Sequence, residues 1–186
     1  MITLVYGGSS SGKSQFAENL MWKSDFEKKY YLATMKKSDD TKERISRHRS
    51  LREGKGFLTL EFSTDIPNAV SKMKEIEQSE DKEKSLSKHK RILLLECMSN
   101  LVANEMFRDG KMHSAEDCCR KILEDVQKVS EQVDSLIIVT NNVFEDGISY
   151  DEGTKEYLKC LGRINQSLAR LSDEVYEVVV GIGIRL

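Results

Sequence analysis

The chain has 186 residues, 39% of them hydrophobic and 32% charged, with a formal net charge of −2. That length suits a single domain over residues 1–186, and the composition excludes a disordered or membrane-spanning chain, since no apolar run approaches the roughly 20 residues of a membrane span. The near-neutral charge provides no global basic field for nucleic acid, and the N-terminus lacks the basic start of a secretory signal.

The first predicted element is a strand, Ile2–Tyr6, and directly behind it stands GGSSSGKS, residues 7–14. A helix follows, with Phe16, Ala17, Leu20 and Met21 on one stripe. Further strands are predicted at Tyr30–Thr34, Ile92–Leu95, Leu136–Thr140 and Val175–Val180, with a weaker, alternating one at Leu58–Phe62. They are short, apolar and often β-branched, as in a parallel sheet covered on both faces. Helical stripes lie between them: Ile66, Val70, Met73 and Ile76, with Pro67 suited to a first turn; Cys118, Ile122, Val126, Val129 and Val133; Tyr157, Leu161, Ile164, Leu168 and Leu171. Alternation of this kind predicts an α/β domain with a largely parallel sheet. The charged stretch 77–91 reads as a helix end and an exposed loop. The four cysteines, Cys97, Cys118, Cys119 and Cys160, show no metal-ligand spacing and read as free thiols of a cytoplasmic protein, three of them core residues.

Gly7, Gly8, Ser9, Ser10, Ser11, Gly12, Lys13 and Ser14 fit the phosphate-loop pattern GxxxxGK[ST]. Glycine lets backbone N–H groups approach phosphate with no Cβ in the way. A helix that starts near Lys13 adds its N-terminal dipole. Lys13 would meet the β- and γ-phosphates, and the Ser14 hydroxyl would ligate Mg²⁺. Such a loop needs an acidic partner, and RILLLE ends on Glu96. That carboxylate either holds Mg²⁺, directly or through water, or caps the helix that begins in CMSNLV.

Residues 44–55 hold four arginines and one lysine against one acid, Glu53. At helical spacing Arg44, His48 and Arg52 share a face. The segment is either a solvated basic face or a second polyphosphate site built around a nucleophile. Neighbouring positive charge disfavours the imidazolium, and a neutral ring is what attack on phosphorus requires. His89 and His113 lie in a charged loop and a turn.

Taken together, GGSSSGKS, YLAT, RISRHR, LLLECMSNLVAN, IIVTNNV and LGRINQSLARLSDEVYEVVVGIGI resemble the bifunctional adenosylcobinamide kinase/adenosylcobinamide-phosphate guanylyltransferase family of cobalamin biosynthesis. The resemblance implies a P-loop NTPase-like (RecA/kinase-like) α/β fold and a homotrimer. It also implies two reactions: phosphorylation of adenosylcobinamide by ATP or GTP, and transfer of GMP from GTP to the resulting phosphate through a guanylylated histidine. By the RISRHR match that histidine is His48. Nucleotide contacts carry over to Gly7–Ser14, to Ala33, Thr34 and Met35, to Arg49, Ser50, Leu51 and Arg52, and to Glu61 and Glu96. The chain departs from the family pattern at Ser10, where Arg is usual, at Asn142, where Glu is usual, and at Lys155 and Lys159, which align with an Arg and an Asp. A transferase with a weakened kinase, and a P-loop nucleotide switch, are the alternative readings.

Overall fold

A computed structural model describes residues 1–37, 54–80, 89–144 and 147–186. The segment around His48, with Arg44, Arg49, Ser50, Leu51 and Arg52, lies outside the described residues, as does most of the charged stretch after residue 80.

Among the described residues, seven strands form one sheet: β1 (Ile2–Gly7), β2 (Lys28–Ala33), β3 (Leu58–Glu61), β4 (Arg91–Glu96), β5 (Ser135–Asn141), β6 (Glu174–Val179) and β7 (Ile182–Arg185). Their order across the sheet is β3-β2-β4-β5-β1-β6-β7. All neighbouring pairs are parallel except β6–β7. The α-helices described between them are α1 (Lys13–Lys23), α2 (Pro67–Glu80), α3 (Met98–Met106), α4 (Ala115–Ser130) and α5 (Glu152–Leu171).

The central strands divide their side chains by the two-residue period of a pleated strand. Leu93 and Leu95 of β4 and Leu136 and Ile138 of β5 join Met73, Leu101, Ile122 and Ile164 in a core beneath α2–α5. Ile92, Leu94, Ile137 and Val139 face the other way, onto Ala17 and Met21 of α1. Both faces are therefore covered, and strands such as RILLLE need no polar face. Sequence also sets the helix starts. Pro67 is the first residue of α2, where its missing N–H costs nothing. The side chains of Ser114 and Asp151 accept from Asp117 N and Thr154 N at 3.1 Å and cap α4 and α5. Cys97, Cys118 and Cys160 are buried as expected, and so is Cys119.

Two differences from the sequence reading concern element ends. The run 175–180 begins as a strand at Glu174 and stops at Val179, and a seventh strand follows. The turn between them has two residues, Val180 at φ 46° and Gly181 at φ 84°, and Val179 pairs with Ile182. Positive φ at both positions is the twist-matched hairpin geometry. Val180 hides the turn because a β-branched residue rarely adopts it; here its side chain points into solvent, 83% exposed. The helical stripe that ran to Val133 is shorter too, ending at Ser130.

Candidate functional site

Parallel pairing brings the carboxyl ends of five strands to one edge. Gly7 stands beside Asn141, Val139 beside Glu96, Glu96 beside Ala33, and Ala33 beside Glu61. Residues that are far apart in sequence thus form a row with a spacing of about 4.8 Å per strand. In an open α/β sheet, ligands bind at this edge.

The glycine loop leaves β1 here. Ser11 N donates to Gly8 O at 3.2 Å, and Phe16 N donates to Gly12 O at 2.9 Å as α1 begins. Gly12 has φ 88°, and a Cβ on it would stand 2.9 Å from Gly181 Cα. A Cβ on Gly7 would meet Ser11 Oγ and Val178 O, both at 2.7 Å. Both glycines are therefore required by close packing, while Gly8 faces open space. The C-terminal hairpin braces the loop: Gly181 N donates to Ser11 O at 2.7 Å. Lys13 is 7% exposed, and its Nζ donates to Gly8 O at 2.9 Å, which holds the ammonium across the loop. Ser14 Oγ donates to Glu96 Oε1 at 2.8 Å.

This geometry fits a nucleotide and its divalent cation. Gly8 offers the loop backbone without a Cβ, and the N-terminal turn of α1 is aimed at the loop. Ser11 Oγ is buried with no hydrogen-bond partner among the described residues. A hydroxyl and a carboxylate at hydrogen-bonding distance are hard oxygen donors of the kind Mg²⁺ takes.

Of the other expected residues, Thr34, Glu61 and Asn142 lie at the same ends of their strands. Thr34 is fully buried, and its hydroxyl is engaged with the backbone of Cys97. Glu61 forms an ion pair with Lys37 at 2.5 Å. Asn142 N donates to Gly7 O at 2.8 Å, so the residue beyond β5 is tied to the glycine loop. Lys155 and Lys159 bond to Glu152 and Glu156, each one turn back along the exposed side of α5. Burial, with the neighbouring Glu96 charge adding to it, pushes the Cys97 thiol up, so it stays protonated beside the loop. His89 pairs with Glu27, and His113 N donates to Met106 O at 2.8 Å.

Several site-lining residues escaped the sequence reading. Ser99 accepts from Asn141 Nδ2 at 2.6 Å, and Asn104 Nδ2 donates to Thr34 O at 2.8 Å. Both are polar residues of α3, Ser99 in its first turn and Asn104 in its last, on either side of the apolar Leu101 and Val102. Glu18, buried one turn after Ser14, pairs with Lys55 at 2.5 Å.

A second acidic cluster invites a metal reading and does not sustain it. Carboxylate oxygens of Asp65, Glu105 and Asp125 lie within 4.8 Å of one another. Lys121 Nζ stands among them, 3.0, 2.7 and 2.8 Å away, and Arg108 pairs with Asp65 at 2.8 Å. Burial works against the Lys121 charge, but the hydrogen bonds to Asp125, Glu105 and Asp65 outweigh it and raise the ammonium's pKa. The cluster ties the loop before α2 to α3 and α4 as a structural ion network.

Comparison with known proteins places this geometry. A solved ATPase domain superposes with a TM-score of 0.56 over 95% of this chain and 68% of that chain; at 13% identity this shows a shared P-loop ATPase fold. The bifunctional adenosylcobalamin biosynthesis protein CobU of Escherichia coli (strain K12) is 29% identical over 198 residues, covering 100% of this chain and 99% of the relative. Its counterpart in Salmonella typhimurium (strain LT2) is 27% identical, with the same coverage. The family model described as cobinamide kinase / cobinamide phosphate guanyltransferase matches residues 3–186. With that match over nearly its whole length, and the phosphate loop set against Glu96, the chain belongs to the cobinamide kinase/cobinamide phosphate guanyltransferase family.

Proposed function

We propose that this chain is a bifunctional enzyme that phosphorylates the aminopropanol hydroxyl of adenosylcobinamide and then transfers GMP from GTP to the new phosphate. Membership of the family supports the substrate class. The observation that carries the nucleotide half is the 2.8 Å bond between Ser14 of the loop and Glu96 at the end of β4. It joins the two groups that would hold a divalent cation.

In this reading the backbone N–H groups of Gly7–Ser14 and the Lys13 ammonium bind the triphosphate, while Ser14 and Glu96 hold Mg²⁺. When bound, Mg²⁺ neutralises charge on the phosphate oxygens. Ala33, Thr34, Met35 and Glu61 border the same edge as nucleotide contacts. In the transfer step the neutral His48 ring attacks the α-phosphorus of GTP. A P–N bond forms, the bond to the β-phosphate oxygen breaks, and pyrophosphate leaves. A phosphate oxygen of adenosylcobinamide phosphate then attacks the same phosphorus. The P–N bond breaks, and the histidine is restored with adenosylcobinamide-GDP as product. Arg49 and Arg52, with Ser50 and Leu51 between them, hold the phosphate oxygens as charge builds. ATP or GTP donates the phosphate in the first step. The working unit in this reading is a one-domain, cytoplasmic homotrimer.

The test is incubation with α-labelled and with γ-labelled GTP, followed by intact-protein mass measurement. The adduct is expected to carry the α-label only, to vanish in mild acid and to survive alkali. His48→Asn is expected to lose the adduct and the transfer while GTP binding persists. An adduct that forms at full rate in His48→Asn sends the nucleophile elsewhere.

A further inference from the structure

Glu96 is the last residue of β4, and the chain turns away at Cys97 to begin α3. A carboxylate at the end of a strand is only as well placed as the backbone that carries it. Beyond the sheet ladder, Thr34 grips that backbone at three points. Thr34 N donates to Glu96 O at 2.9 Å. The Thr34 hydroxyl donates to Cys97 O at 2.8 Å and accepts from Cys97 N, also at 2.8 Å. Three bonds from a single residue therefore fall on the peptide units immediately after the Glu96 side chain.

Thr34 is secured in its turn. Asn104 Nδ2, from α3, donates to Thr34 O at 2.8 Å and to Ser63 O, just beyond β3, at 3.0 Å. The relay runs from β3 through Asn104 and Thr34 to the Glu96 backbone, and from Glu96 Oε1 to Ser14 Oγ. A threonine suits the post. Its branched Cβ restricts χ1, and the hydroxyl serves as donor and acceptor at once. Cys97 O has a second bond, from Leu101 N at 3.2 Å, so the group that depends most on Thr34 is Cys97 N–H.

We infer that Thr34, secured by Asn104, is a positioning residue that sets the Glu96 carboxylate against Ser14 and thereby tunes the site's affinity for its divalent cation. The inference rests on the reading that Ser14 and Glu96 hold that cation. Mg²⁺ demands near-ideal octahedral geometry, so a displacement of a few tenths of an ångström at one ligand is felt. Outer partners of metal ligands typically alter metal affinity by about 10- to 100-fold.

The experiment titrates Mg²⁺ in two assays: calorimetric GTP binding, and transfer of α-label to adenosylcobinamide phosphate. Thr34→Val keeps the shape and removes the hydroxyl. It is expected to raise the half-saturating Mg²⁺ about 10-fold or more. Thr34→Ser returns the hydroxyl and is expected to restore most of the midpoint. Asn104→Ala, outside the deep core, shifts it in the same direction by a smaller factor and stands in for Thr34→Val if that variant does not fold. Glu96→Gln separates the two layers of the argument. If it leaves the Mg²⁺ midpoint unchanged, the cation reading itself fails. If it shifts the midpoint while Thr34→Val and Asn104→Ala only lower the melting temperature, Thr34 is structural and the positioning inference is overturned.

Discussion

Replacing Gly7 with alanine tests whether the phosphate loop is held by packing. The added Cβ would lie 2.7 Å from the Val178 carbonyl oxygen and 2.7 Å from Ser11 Oγ. Neither neighbour yields easily: one is the backbone of β6, the other a buried hydroxyl inside the loop. Relief to an ordinary contact requires the end of β1 to separate from β6 by about 0.7 Å in an interior packed like a crystal. Overpacking of this kind costs about 1–3 kcal/mol, and the lower entropy of the unfolded alanine chain offsets about 0.4–1 kcal/mol. From the middle of each range the net loss is about 1.3 kcal/mol, which for a chain of this size lowers Tm by about 3–5 °C. GTP affinity should fall further, because the displaced atoms belong to the loop that would meet the phosphates. The measurements are a thermal melt and calorimetric GTP binding. Gly8→Ala is the control for stability, since its Cβ meets nothing within 4 Å; its Tm should stay within about 2 °C of the parent. A Gly7→Ala protein with parental Tm and parental GTP affinity refutes the reasoning, and so does a Gly8→Ala protein that melts as early.

Two further outcomes are expected. Asn142 stands beside the loop at a position where the family resemblance implies an acid, so transfer to adenosylcobinamide phosphate should outpace phosphorylation of adenosylcobinamide, and Asn142→Glu should raise the kinase rate; brisk parental kinase turnover with no gain on restoration removes that expectation. Glu77 accepts from Arg91 Nε at 2.7 Å and from Tyr30 OH at 2.9 Å; burial alone would raise its pKa, but these bonds outweigh burial and hold it below the ordinary carboxylate value of 4.5. A group lowered in the folded state contributes stability above its unfolded pKa and loses it as pH falls through the folded value. Glu77→Gln should therefore lose about 1–3 kcal/mol at pH 7 and show a flatter fall in stability between about pH 5 and pH 3. Urea melts at pH 7, 5 and 4 check this, and a parallel fall in both proteins contradicts it.

What the sequence disclosed follows from how local each cue is. The glycine loop was legible because spacing, the preceding strand and the helix start all fall within 23 residues. Glu96 was legible as the polar end of an apolar run, though not its bond to Ser14, which spans 82 positions. Val180 was misread because its conformation contradicts its propensity. Thr34 and Asn104 were assigned no positioning role, since a hydroxyl that serves the backbone of residue 97 leaves no periodic trace. The Lys121 network was hidden for the same reason: its partners come from the loop before α2, from α3 and from α4, and each charge alone looks like surface.

The glycine loop occupies the first few residues of the chain, yet its frame is made by the last third. β1 pairs with β5 and β6, and the loop's Ser11 is bonded by Gly181. During synthesis, β1 therefore waits for about 130 residues before its first sheet partner exists, and for about 170 before the brace behind its loop does. Such long-range closure makes folding slow relative to local topologies. A chain cut short before the terminal hairpin carries the full phosphate-loop motif but not the brace that shapes it. A nucleotide that binds only the folded loop would favour chains that carry the β6–β7 hairpin over fragments that share residues 7–14 alone.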